Sequence, residues 1–164
     1  MRSALLEAIG PVTIRYFQGE DGEWELGEQA DQIARASGIR IGSNKDLTLL
    51  ALSGDNVLGA VWSAFERDHD ASENHNADIY RYDFDVAVRP DARGTGLTTA
   101  RVGPRLIDAA LRDYRDRRHD VDGAYIRVWV VNPKLAQWLQ DRYGFETEGR
   151  GWSQDTPHLV YYGS

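Results

Sequence analysis

The sequence predicts an α/β fold of the α+β kind, with strands and amphipathic helices built around one core. Three stretches predict it. Residues 80–88 alternate with period two: Tyr80, Tyr82, Phe84, Val86 and Val88 fall on one face, and Arg81, Asp83, Asp85 and Ala87 on the other. Residues 101–118 (RVGPRLIDAALRDYRDRR) follow a glycine-bearing turn and read as an amphipathic helix. Residues 46–66 (DLTLLALSGDNVLGAVWSAFE) are two apolar arms around the hairpin chemistry of Ser-Gly-Asp-Asn.

In chain order, residues 11–17 (PVTIRYF) are rich in β-branched and aromatic side chains and read as a first strand, broken by Gly19 and Gly22. Over residues 23–36, Trp24, Leu26, Ala30, Ile33 and Ala34 recur near helical spacing, and Ser37-Gly38 supplies a stop. The hairpin's second arm is apolar on both faces, with Leu58, Ala60, Trp62 and Ala64 on one and Val57, Val61 and Phe65 on the other, which predicts a central strand. Residues 67–78 (RDHDASENHNAD) read as a polar, acid-rich loop that could present negative potential to a substrate. His69 and His75 with Asp68, Asp70 and Glu73 resemble metal ligands, but polar loops collect such residues and no metal is assigned.

Pro90 ends the alternating strand. Arg93-Gly94-Thr95-Gly96 then places two residues without Cβ atoms just before a helix, where free N–H groups and the positive end of the macrodipole form an anion cradle. Alone, such a turn is more often only a turn, and it matches neither the dinucleotide fingerprint nor the P-loop. Gly103-Pro104, inside the expected helix, predicts a kink near Ala100. The run Arg112, Arg115, Arg117 and Arg118 is interleaved with Asp113, Asp116 and Asp120 and reads as a solvated helix face. After Asp122-Gly123, residues 124–131 (AYIRVWVV) form the second core strand. Asn132 as N-cap and Pro133 at N1 open another helix, with Leu135, Leu139 and Tyr143 on one side and Gly144 as its end. Residues 145–147 and 158–162 are the last strands, and no repeat, linker or second domain interrupts a single domain over residues 1–164.

Composition narrows the function. Without cysteine there is no disulfide, thiolate nucleophile or cysteine-zinc site. A net charge of -7 disfavours nucleic acid and leans towards a neutral or cationic partner. No apolar run approaches a membrane span and no secretory signal opens the chain, so cytoplasm is the expected location.

Two further stretches carry a resemblance. VRPDARGTG looks like the V-x-P-x-x-RG-x-G signature, and VNPKLAQWLQDRYGF like the N-x-x-A…Y-x-x-x-GF segment, of the GNAT superfamily of acyl-CoA-dependent N-acyltransferases. The resemblance implies a mixed, mostly antiparallel sheet flanked by helices, with the strands at residues 83–88 and 124–131 splayed to admit the pantetheine arm of acetyl-CoA or another acyl-CoA. It implies cofactor contacts from Val86, Ala87 and Val88, whose backbone would also supply the oxyanion donor. Arg93, Gly94, Thr95, Gly96, Leu97 and Thr98 would wrap the pyrophosphate, and Asn132 is counted with the cofactor-binding residues. The implied reaction moves an acyl group, most simply acetyl, to a primary amine of a small molecule or protein, with no metal. A cationic acceptor suits the charge, and a homodimer is left open.

The sequence departs from the family pattern at Thr98, where a glycine or alanine is usual, and at Gln140, where the family holds the tyrosine that protonates the departing thiolate. Tyr143 shares roughly that helix face and is the candidate replacement acid, against the commoner role of a tyrosine packed beneath Gly144-Phe145. Asp85, ahead of Asp83, is the candidate base, with surface pairing of both with Arg81 or Arg127 as the equal alternative. Trp62, Trp129 and Trp138 read as core, and Trp152 as the better substrate contact. The alternative to an enzyme is a non-catalytic acyl-CoA sensor or docking module, supported by Gln140 and Thr98.

Overall fold

The computed structural model describes residues 12–92, 101–129, 133–150 and 157–161. Its elements are β1 (Thr13–Tyr16), α1 (Trp24–Ala36), β2 (Asp46–Ser53), β3 (Asn56–Arg67), α2 (His69–His75), β4 (Ile79–Val88), a 3₁₀ turn (Pro90–Ala92), α3 (Val102–Arg118), β5 (Gly123–Trp129), α4 (Pro133–Tyr143), β6 (Glu146–Arg150) and β7 (Pro157–Tyr161). The strands form one seven-stranded sheet in the order β1-β2-β3-β4-β5-β7-β6. β4 and β5 run parallel, whereas β1–β2, β2–β3, β5–β7 and β6–β7 pair antiparallel, so the expected mixed, mostly antiparallel α/β sheet is present. The chain forms two compact units, Met1–Ser63 with Val86–Arg112 and Ala64–Asp85 with Asp113–Ser164.

In the first unit, Ala30, Ile33 and Ala34 of α1 pack with Leu50, Leu52, Val57, Ala60, Trp62 and Ala87. Trp24 does not join them and is 67% exposed. Nine residues at about 100° each put it on the side of the helix opposite Ile33. Gly38 (φ +70°) ends α1 in a Schellman motif: its N–H donates to the Arg35 carbonyl and that of Ile39 to the Ala34 carbonyl, both at 3.1 Å. Ile39 then packs on the same core.

The hairpin forms where expected, with Ser53 opposite Asn56 and Gly54 at φ +59° in the first central position, where a type II′ turn takes glycine. Gln29 fastens α1 to it, accepting from the Val57 N–H at 3.0 Å and donating to the Asp55 carbonyl at 3.2 Å. In β3, residues 57–64 are all buried, as a strand between β2 and β4 requires.

The kink expected near Ala100 lies outside the described residues, but the placing of Gly103-Pro104 in the helix interior is corrected. Described helix begins at Val102, and Arg101 before it has φ +48°, so Pro104 lies in the first turn of α3, where its missing N–H has no intrahelical partner to lose. The sequence-expected turn, Arg93 to Thr98, lies outside the described residues.

In the second unit, residues 67–78 are not a loop throughout. They hold α2, whose N-cap Asp68 accepts from the Ala71 N–H at 3.1 Å and whose C-cap Asn76 adopts φ +50°. Only Ser72 of this helix is buried, where it accepts from the Ile79 N–H at 2.9 Å and donates to the Ile79 carbonyl at 3.2 Å. A helix with one buried serine has no apolar stripe to reveal it. Asp113 likewise corrects the reading of a solvated face: it is 3% exposed and accepts from the Tyr82 hydroxyl at 2.7 Å and from Arg117 Nε at 3.1 Å. α4 starts at Pro133 as expected and ends at Gly144 (φ +71°), whose N–H donates to the Gln140 carbonyl at 3.0 Å.

Candidate functional site

The parallel register of β4 and β5 runs from Ile79↔Gly123 to Phe84↔Val128, and β4 continues beyond it to Val88. It sets Arg81 beside Tyr125 and Asp83 beside Arg127 on the odd-numbered face. The even-numbered residues Tyr82, Phe84, Ile126 and Val128 are buried core. A charged row therefore lies along one face of these two strands, over a hydrophobic layer on the other.

Asp83 is the hub of that row. One carboxylate oxygen accepts from Arg81 Nε at 2.7 Å and the other from Arg127 Nε at 2.9 Å. Burial works against the Arg81 charge, but Asp83 outweighs it and holds the guanidinium above its ordinary range. Beside it, Tyr125 donates its hydroxyl proton to Asp68, the N-cap of α2. This bond, helped by the Ala71 N–H, holds the Asp68 carboxyl below its usual range. Burial, and then the same bond, push the Tyr125 hydroxyl well above the usual tyrosine range.

A shallow depression of about 420 Å³ opens at the end of α3 against Gly123 and Ala124. A larger one, about 710 Å³, is lined by Phe65, Glu66, Asp68, Asp70, Tyr80 and Arg81. Phe65 and Tyr80 stack in it at 5.0 Å between centroids. The acidic stretch thus contributes Asp68 and Asp70 to a concave surface, but from a capped helix.

Asp83 and Asp85 are 4% and 8% exposed, so β4 has no solvated polar face here, and the surface pairing considered for them becomes, at Asp83, a buried double ion pair. Tyr143 is half-buried, edge-on to Trp138 at 5.5 Å and to Phe145 at 6.4 Å, and its hydroxyl accepts from Arg142 Nε at 3.1 Å. Trp62 is core, whereas Trp138 is half-buried. Val86, Ala87 and Val88 form the end of β4. Arg93, Gly94, Thr95, Gly96, Leu97, Thr98, Asn132 and Trp152 lie outside the described residues. The sequence singled out Asp68 only beside His69 and His75 as a metal-ligand pattern and gave Tyr125 no role, although Tyr125 and Arg127 alternate with Ala124, Ile126 and Val128 in a half-polar pattern that marks them.

No protein-family model matches the chain, and no curated protein matches it in sequence. Solved structures do match. An acetyltransferase of the GNAT family from Streptococcus pneumoniae superposes with a TM-score of 0.59 over 93% of this chain and 99% of its own, at 15% identity. The chain has the GNAT fold. Arabidopsis thaliana Naa50, in complex with a bisubstrate analogue, gives a TM-score of 0.54 at 16% identity, over 94% of this chain and 100% of that one. An agmatine N-acetyltransferase variant in its apo form gives 0.60 at 13% identity, again over 94% and 100%. At such identities the likeness carries the GNAT fold and leaves the reaction to the chemistry of the residues.

Proposed function

We propose that this protein transfers an acyl group, most simply acetyl, from acyl-CoA to a primary amine. The observation that carries the reading is the GNAT fold, together with a sequence VRPDARGTG that begins at Val88, the last residue of β4. Support for an amine acceptor comes from the agmatine N-acetyltransferase among the similar structures and from the net charge of -7, which favours a cationic partner.

In this reading the amine attacks the thioester carbonyl directly, and a chain without cysteine has no enzyme thiol to act as a relay. Backbone N–H groups at Val86, Ala87 and Val88 bind the pantetheine arm and the oxyanion, and residues 93–98 cradle the pyrophosphate. Asp85 takes the amine proton. Asp83, with an arginine on each oxygen, orders the charged row. When the tetrahedral adduct collapses, the C–S bond breaks and CoA leaves as the thiolate. Tyr143 is the candidate donor of the proton it takes up, and solvent can also serve a thiol with a pKa near 8.5.

One observation favours a binding module without turnover: Gln140 stands in α4 where the resemblance implies an acidic hydroxyl, and an amide does not donate a proton to a thiolate. A screen of small amines and peptide N-termini with acetyl-CoA, read by release of free thiol, separates the two. Release above buffer with any acceptor supports transfer. Tight CoA binding with no release from any of them supports the module.

A further inference from the structure

We propose that Gly59 is a positioning residue for acyl-CoA: its missing side chain lets the end of β4 and the first turns of α3 close on β3, and so sets the backbone at Ala87. The inference rests on the acyl-CoA reading above and adds a residue that neither the motifs nor the charged row contains.

Gly59 lies in the buried run of β3, opposite Ala51 of β2. A Cβ placed on it would stand 2.8 Å from the Ala87 carbonyl oxygen, 2.8 Å from Leu106 Cδ1 and 3.3 Å from Val102 Cγ1. The first of these is the closest kind of obstruction, because a backbone carbonyl in a strand cannot rotate away as a side chain does. Ala87, Val102 and Leu106 are all buried. The same β4 end is tied to β3 next door, where the Arg89 N–H donates to the Leu58 carbonyl at 2.8 Å. Gly103 on the helix side differs, since a Cβ there would meet Val88 Cγ2 at 3.6 Å, an ordinary contact that any small side chain can make.

A methyl group at position 59 must therefore move the Ala87 peptide by several tenths of an ångström, or push α3 outward. The Val88 N–H lies in the same peptide plane as the Ala87 carbonyl and turns with it, and it is one of the donors that the acyl-CoA reading uses. A displacement of this size spoils a hydrogen bond to a fixed ligand without unfolding a strand.

The control is Gly123→Ala. Its Cβ would meet Ile79 Cδ1 at 2.7 Å, an equally close contact but with the free end of a flexible side chain. CoA is titrated calorimetrically into the wild type, Gly59→Ala and Gly123→Ala, with folding checked by circular dichroism. The expected result is CoA binding weakened roughly tenfold in Gly59→Ala, the loss of about one hydrogen bond to the ligand, and unchanged in Gly123→Ala. In turnover assays the KM for acetyl-CoA rises while that for the amine holds. Wild-type affinity in folded Gly59→Ala overturns the proposal, as does equal weakening in both variants. If the wild type itself binds no CoA, the acyl-CoA reading falls and takes this one with it. Should Gly59→Ala not fold, Gly59→Ala with Leu106→Ala removes the side-chain contact, keeps the carbonyl contact and is read in the same way.

Discussion

The hydroxyl of Tyr82, wholly buried on β4, donates to the carboxylate of Asp113 on α3 at 2.7 Å. Tyr82 also packs against Tyr114 at 5.8 Å, so the two elements share an aromatic layer with one charged acceptor inside it. Asp113→Ala removes that acceptor from a buried donor and should cost about 1–3 kcal/mol in urea unfolding. Tyr82→Phe with Asp113→Ala removes both ends. The double variant should be less unstable than the sum of the two single variants.

Asp68 gives the fold an acid-sensitive fastening. Its folded-state pKa is depressed, first by the Tyr125 hydroxyl and then by the Ala71 N–H, so the native state binds this proton less readily than the unfolded chain. The contribution is present above the unfolded value, about 4, and is lost as pH falls through the lower folded value. Tyr125→Phe removes the larger cause. Thermal unfolding followed from about pH 6 down to about pH 3 should show a smaller loss of stability in that variant than in the wild type. An identical slope would mean that the bond does not link protonation to folding.

What the sequence made legible was whatever announced itself locally. β3 was readable because apolar residues occupy both its faces, the hairpin because Ser-Gly-Asp-Asn leaves few other conformations, and α4 because Pro133 and Gly144 bracket it. α2 was not, since its evidence is a cap and one serine. Asp113 looked like part of a charged surface because its partner Tyr82 lies 31 residues away in sequence. The same holds for Asp68 and Tyr125, separated by 57 residues. The start of α3 depends on the left-handed backbone of Arg101, which no periodicity encodes. At the site, the arginine partners of Asp83 could be named from strand alternation, but burial of the triad needed the fold.

The cradle can be tested directly. If residues 94–98 hold a pyrophosphate through backbone N–H groups, Gly96→Val puts a branched side chain where the phosphate comes closest. Losing one backbone bond to a charged oxygen costs about 1.5–3 kcal/mol, so CoA affinity should fall roughly 10-fold to more than 100-fold. Arg93→Ala should do less, because a guanidinium on a long flexible side chain is a weaker anchor than fixed amides. Calorimetry with CoA on folded protein decides it. Unchanged affinity in Gly96→Val would make this stretch a turn and nothing more.

Asp85 and Asp83, two residues apart on β4, should separate into different roles. If Asp85 takes the proton of the attacking amine, Asp85→Asn keeps the shape of the side chain and removes the base, lowering kcat on the order of 10²- to 10⁴-fold. CoA affinity should hold if, as proposed, backbone N–H groups bind the cofactor. Asp83→Asn should act on the fold first. It leaves Arg81 and Arg127 without the carboxylate they share, and with those side chains 27% and 22% exposed the cost should be roughly 1–3 kcal/mol, below that of a fully buried pair. The two variants are compared by unfolding midpoint and by kcat under conditions where each is folded. A stable, inactive Asp83→Asn beside an active Asp85→Asn would exchange the roles, and full activity in both would remove the carboxylates of β4 from the chemistry.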